Sequence, residues 1–479
     1  MASPYATATE LLALLRDGEV SALELTDMYL ERIEKLNPEI NAVVWQDAER
    51  ARDTAGSITA KPDSQQPLLG LPITVKEAYN VAGSPTTWGK PEFADNVSNE
   101  DALAVQRLKA AGAIVIGKTN VPLDLADLQS YNDIYGVCNN PYNLDHTPGG
   151  SSGGSGAALA AGLSALEMGS DIGGSIRTPA HFSGVFGHKP TWALVPGRGH
   201  ALPGMLAEPD IAVIGPLARS AFDLELQLDV VAGADDFQPG IRYDLPGLAE
   251  SGFAGLRVAV WATDPACPVT EETQDRVELV AQTLKNAGAL IDYEARPNFT
   301  SEQSNAIYTP LLWSIMMAGT PEEQFQDMKA QAANSAPEDH SDEIEMARMA
   351  TMDHRTWLGL HNARDGLRWA WHEFFKDFDI LLAPQTPTPA LKHDHRPIND
   401  RSVDVDGFAM PYFQQIFWAG LTGISHLPST VIPTGLNEHG LPIGIQIIGN
   451  AYSDRLTIQI AQGLEELGFR FEPPEAYPG

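Results

Sequence analysis

Residues 149–156 read GGSSGGSG, eight consecutive glycines and serines. In isolation such a run is a flexible tether with no defined structure. Its surroundings forbid that reading. The run passes directly into AALAAGLSALEMGSDIGGSIRTPA, an alanine-rich helical stretch followed by a second glycine cluster. A tether has no reason to sit inside the most helix-prone and apolar part of a chain. Small residues in that setting point instead to close approach of backbone to backbone.

The rest of the chain supplies the frame for such packing. TATELLALLRDGEVSALELTDMYLERIEKLNPEINAVV carries apolar residues at helical spacing and predicts two amphipathic helices, broken at Gly18 and Pro38, that feed a strand at 42–44. A β-branched run at 73–75 ends at Lys76. A helix, a glycine stop at Gly112 and a buried strand follow in DALAVQRLKAAGAIVIGKTN. Helix and strand alternate again from LRVAVWA to LIDYEA, and through FDILLAPQTP, STVIPTG and GIQIIGN to a helix starting at Ser453. This alternation predicts an α/β fold with a mixed or mostly parallel sheet covered by helices on both faces. Residues 320–353 are polar, acidic and methionine-containing; they read as an insertion packed over a pocket or as a solvated helical hairpin.

Charge narrows the partners. With 63 acidic against 31 basic side chains the formal net charge is −32, which repels phosphate backbones and anionic lipid, so neither nucleic acid nor a membrane surface is expected as a partner. Two cysteines, Cys138 and Cys267, make neither a disulfide framework nor a cysteine-rich metal site, and the scattered histidines show no ligand spacing. The N-terminal stretch lacks the basic and uninterrupted apolar segments of a signal peptide, and no run reaches the length of a membrane span. A cytoplasmic protein without metal or cofactor is the expectation.

Three motifs compete for the chemistry. GAIVIGKT at 112–119 fits the pattern of a phosphate-cradling loop, but its centre is a buried strand and Pro122 stands where the helix should begin. GGSSG at 149–153 fits the nucleophile elbow of α/β-hydrolases, yet a proline- and asparagine-rich loop precedes it where a strand is needed. The third reading takes both glycine clusters together. GGSSGGSGAALAAGLSALEMGSDIGGSIRTPA resembles the amidase signature family in order and spacing, with Ser151 and Ser175 separated by 24 positions. Lys76 in LPITVKEAYN, GAIVIGKTNVP, YGVCNNPYN, GVFGHKPT and GLPIGIQIIG extend the resemblance over nearly the whole chain, most weakly from 298 to 377.

The resemblance implies a single amidase domain over 1–479, with 298–377 as a variable segment, and a large twisted mixed β-sheet core. It implies a Ser–cisSer–Lys triad: Ser175 as the nucleophile that becomes the acyl-enzyme ester, Ser151 as the proton relay after a cis bond from Gly150, and Lys76 as the base. Free lysine is neutral in only about one molecule in a thousand near pH 7. The apolar flank LPITV therefore suits a base whose pKa is lowered by burial. Backbone amides of Ile172, Gly173, Gly174 and Ser175 are the implied oxyanion hole; Gly150, Ser152, Asp171 and Arg177 frame the loops. Leu125 matches a pocket position, and Gln129, Trp313 and Phe417 are candidate pocket walls or core.

Glu77 stands where the family usually has aspartate, and His181 and His188 where smaller residues are common. The implied activity is hydrolysis of small to medium amides, with carbamates and esters open to the same chemistry, by stand-alone amidases of the aryl acylamidase, nylon-oligomer and urethane hydrolase type. Two alternatives stay open: the catalytic subunit of an aminoacyl-tRNA amidotransferase, whose SLDQ-rich stretch is missing from WALVPGRGHALPGMLAEPDIAVIGPLA, and a silent binding protein on the same fold. A homodimer is the implied assembly.

Overall fold

The computed structural model describes residues 2–248 and 252–479. A three-stranded sheet is built from β1 (Val43–Gln46), β2 (Pro72–Lys76) and β3 (Ile114–Thr119) in the order β1-β3-β2, with β2 and β3 parallel and β1 antiparallel to β3. The larger sheet comprises β4 (Glu167–Asp171), β5 (Phe186–Lys189), β6 (Val213–Ala218), β7 (Arg257–Val260), β8 (Leu290–Asp292), β9 (Ile380–Pro384), β10 (Ser429–Leu436) and β11 (Pro442–Ile448). Its order is β8-β7-β9-β11-β10-β5-β6-β4. Only the β7–β8 and β7–β9 pairs are parallel, so the sheet is mixed. The small sheet abuts β4 through Thr74, whose amide donates to Ser164 Oγ at 2.9 Å and to Leu166 O at 3.4 Å. That junction sets the end of β2, where Lys76 lies, against the end of β4.

Both strands are buried on every residue, as are β3, β5, β6, β9 and β11. Burial on every residue belongs to strands covered on both faces. The segment 112–119 is thus a helix stop followed by the central strand of the small sheet, with no loop to wrap a phosphate. The first helices run Ala8–Asp17 and Ala22–Ile40. The second differs from expectation: it carries Pro38 inside its last turn and ends at Asn41, whose left-handed φ of 53° makes the cap.

The glycine-serine run is a helix start. Gly153–Ala160 is helical and buried throughout. A Cβ on Gly154 would lie 2.2 Å from the backbone N of Asn120 and 2.8 Å from Ala42 O, so this helix touches β3's end directly. Backbone cannot yield as a flexible side chain would. Gly154→Ala is therefore expected to cost about 1–3 kcal/mol by overpacking. A denaturant midpoint equal to that of the unaltered protein would show that the close approach is not needed.

Residues 320–353 form the helices Glu322–Asn334 and Asp342–Ala350, which bury no side chain and Ala347 alone, respectively. This is the solvated-hairpin alternative. Among the described residues no helix is long and apolar enough to cross a membrane.

Candidate active site

Lys76 ends β2 with its side chain fully buried. Its Nζ lies 2.7 Å from Ser151 Oγ and 2.9 Å from Ser170 Oγ. Ser170, on β4, was not among the residues expected from sequence. Burial pushes the Lys76 ammonium down to about 7, against the pull of Asp171, Glu77 and Glu167. Glu167 does little to restore the charge. Burial raises its own carboxyl to about 8, with Thr74 and Thr119 hydroxyls hydrogen-bonded to it and Ser155 Oγ 3.0 Å from Thr119 Oγ1. Burial therefore leaves a substantial neutral fraction of this amine near pH 7, where a free lysine has almost none.

The bond between Gly150 and Ser151 is cis. A Cβ on Gly150 would fall 2.4 Å from Asp127 O, which explains glycine there. The following residue, Ser152, donates its amide to Ser175 O at 3.2 Å, and its Oγ accepts from the Ser170 amide at 3.3 Å. Ser152 thereby staples the first glycine cluster to the second. Ser151, Ser170, Asp171, Ile172 and Ser175 all line one cleft of about 210 Å3.

The second cluster is held from behind by an ion pair. Arg177 Nε donates to Asp171 Oδ2 at 3.0 Å and Nη2 to Oδ1 at 2.9 Å, both side chains being fully buried. Asp171 also accepts from the amides of Gly174 (2.9 Å), Ile176 (3.1 Å) and Arg177 (3.3 Å). Burial alone would raise this carboxyl; Arg177 and the amides outweigh it and hold it at about 2. Gly174, at φ 106°, turns the loop in a region that disfavours side chains. Its amide differs from expectation because Asp171 occupies it. Among the described residues no acceptor is found for the amides of Ile172, Gly173 and Ser175.

Leu125, at φ 56°, lines the cleft beside Ser175. Gln129 does not. Its Oε1 accepts from the Asp394 amide at 2.9 Å while Nε2 donates to Asp394 O at 2.9 Å and to Tyr412 OH at 3.2 Å, which pins a distant loop and faces the side chain away from substrate space. Phe417 packs in the core with Trp418, whereas Trp313 lines a smaller cavity next to Ser175. Glu77 accepts from the amides of Thr87 (2.7 Å) and Trp88 (3.0 Å) and so places Trp88 in the cleft wall. His181 bridges Gly444 and Thr388, and burial lowers it to about 4; His188 joins Thr430 to Asp454. Both are structural pins. Cys138 is buried in the core, and burial pushes its thiol up, away from nucleophilic character. Among the described residues no group of three or more His, Cys, Asp or Glu side chains could hold a metal ion.

The mixed sheet brings the two glycine clusters together beside a buried lysine, with Ser151, Ser170 and Ser175 in one cleft. The family model described as Amidase matches residues 24–458, and the chain belongs to that family, the amidase signature enzymes. It is 33% identical to indoleacetamide hydrolase of Bradyrhizobium diazoefficiens, over 96% of this chain and 86% of that protein. It is 31% identical to human fatty-acid amide hydrolase 2, over 95% and 88%. The crystal structure of 6-aminohexanoate cyclic dimer hydrolase is similar with a TM-score of 0.80 and 26% identity, covering 99% of each chain.

Proposed function

We propose that this amidase works through a Ser175–Ser151–Lys76 triad and an acyl-enzyme intermediate on small to medium, largely uncharged amides, and that carbamates are open to the same attack. The observation that carries the reading is the 2.7 Å contact between a buried, neutral-leaning Lys76 and Ser151, in the cleft that also holds Ser175. In acylation the Ser175 hydroxyl adds to the carbonyl carbon. Its proton passes to Ser151, whose own proton passes to the Lys76 lone pair. The oxyanion is received by free amides of Ile172, Gly173 and Ser175. Return of the proton through Ser151 to the nitrogen breaks the C–N bond and releases the amine. Water then repeats the relay and frees the acid and Ser175. The likeness to amide hydrolases over nearly the full chain supports one catalytic unit, and the net charge of −32 supports a small molecule over a polyanion as its substrate.

Lys76 gives a pH signature. As the base it must be unprotonated, and with its pKa lowered to about 7 it charges as pH falls. kcat/KM should therefore rise with pH across a limb centred near 7 and lose about tenfold per pH unit below it. A flat profile from pH 5 to 9 would remove Lys76 from this role. Glutamine belongs in the same assay: turnover of glutamine above anilides would favour the amidotransferase reading.

A further inference from the structure

We infer that the preferred substrate joins a short acyl group to a bulky apolar amine, because the nucleophile stands between a small and a large cavity and Ser151 faces only the large one. This rests on the triad reading above.

Ser175, Ile172, Leu125 and Met316 border both cavities. The large lobe, about 210 Å3, adds Ser151 and Ser170 with apolar walls from Trp88, Val195, Leu202, Met205 and Ile214. The small lobe, about 40 Å3, adds neither serine and is lined by Asp127, Leu128, Gly173, Leu312, Trp313 and Phe413. Trp313 and Phe413 meet edge to face at 5.2 Å between centroids, which puts two mutually packed rings in the wall of this lobe.

The direction of the substrate follows from the proton. An amide nitrogen leaves only after it is protonated, and the group that returns the proton must reach it. Ser151 is that group and it opens on the large lobe alone, so the amine side of the scissile bond lies there. The acyl substituent, on the other side of the carbonyl carbon, points into the small lobe. When the amine departs, the emptied large lobe admits the hydrolytic water to the same relay. The small lobe has about one fifth of the volume of the large one. An acetyl to butyryl group fits the first. An aryl amine fits the second.

The test is a matrix of kcat/KM values on acetanilide, butyranilide, octananilide, acetamide and octanamide. Acetanilide is expected to exceed octananilide by about thirtyfold or more and to exceed acetamide by a similar factor. Trp313→Ala should raise the octananilide-to-acetanilide ratio at least about tenfold. Met205→Trp, at an exposed position that leaves folding intact, should lower the acetanilide-to-acetamide ratio without moving the acyl-length ratio. Preference for octanoyl over acetyl substrates, an acyl ratio unmoved by Trp313→Ala, or no turnover of any anilide overturns the assignment of the lobes. Labelling by a fluorophosphonate, mapped by peptide mass spectrometry, separates this failure from the other. Ser175 labelled with long acyl groups preferred leaves the triad and rejects the lobes; Ser175 unlabelled, with turnover surviving Ser175→Ala, rejects the triad.

Discussion

Ser175→Ala is expected to lower kcat on acetanilide by on the order of 10^4-fold or more while the protein stays as stable as before. Among the described residues the Ser175 Oγ has no hydrogen-bond partner, and it borders both cavities, so its removal deprives the fold of little. Neighbouring groups cannot replace it. Ser151 is already bound to Lys76, and Ser152 is engaged with Ser170. Loss of the nucleophile leaves the anion-binding amides intact, and these account for any residual rate. Steady-state kinetics and a thermal midpoint on the same preparation check both halves. A variant within tenfold of the unaltered protein would move the nucleophile elsewhere, and a collapsed midpoint would make the rate uninformative about chemistry. Ser175→Gly, which also removes the hydroxyl, then provides the second reading.

Local sequence carried much of this site. The two glycine clusters and Lys76 are short signals, and each turned out to lie at a strand end or helix start that the apolar pattern around it also marked. What escaped was long-range or directionless. Gln129 finds its partner 265 residues away, at Asp394, and nothing near either residue announces the pairing. Ser170 sits on a strand whose five residues are all buried, so no alternation shows which of them meets Lys76. Pro38 reads as a helix stop, but it lies inside the last turn and the helix runs on to Ile40, where Asn41 makes the cap. The resemblance alone turns the Gly174 amide toward substrate; in the fold Asp171 curls back to take it. Residues 320–353 read equally well as pocket cover and as solvated hairpin, because both demand a polar amphipathic surface.

Arg177→Met is the substitution expected to cost the fold most. The guanidinium is fully buried and every arm is engaged: Nε and Nη2 on Asp171, Nη1 on Thr422 Oγ1 (2.8 Å) and Gln446 Oε1 (3.2 Å), and Nη2 also on Ala419 O (3.1 Å). These contacts join the loop after β4 to the helix Phe417–Gly423 and to β11, so they tie together elements separated by up to 269 residues. Methionine approximates the side-chain length but strands the Asp171 carboxylate in the interior, for which about 3–5 kcal/mol is expected. With an unfolding entropy that scales with length, this is about 3–5 °C in Tm for a chain of this size. The pH dependence has a definite sign. Asp171 is held at about 2, below its unfolded value, so in the unaltered protein its contribution is present above the unfolded pKa and lost as pH falls toward 2. Without Arg177 the same carboxyl is raised by burial, and acidification relieves the variant, so the gap between the two proteins narrows at low pH. Asp171→Asn combined with Arg177→Met should recover part of the loss, since the buried charge is gone. It should not recover turnover, because the carboxylate that gathers the amides of Gly174, Ile176 and Arg177 shapes the loop that presents Ile172, Gly173 and Ser175 to the anion. Denaturant titration of the two variants beside the unaltered protein decides it: an Arg177→Met midpoint indistinguishable from the unaltered protein would mean that the ion pair orders the anion site without holding up the fold.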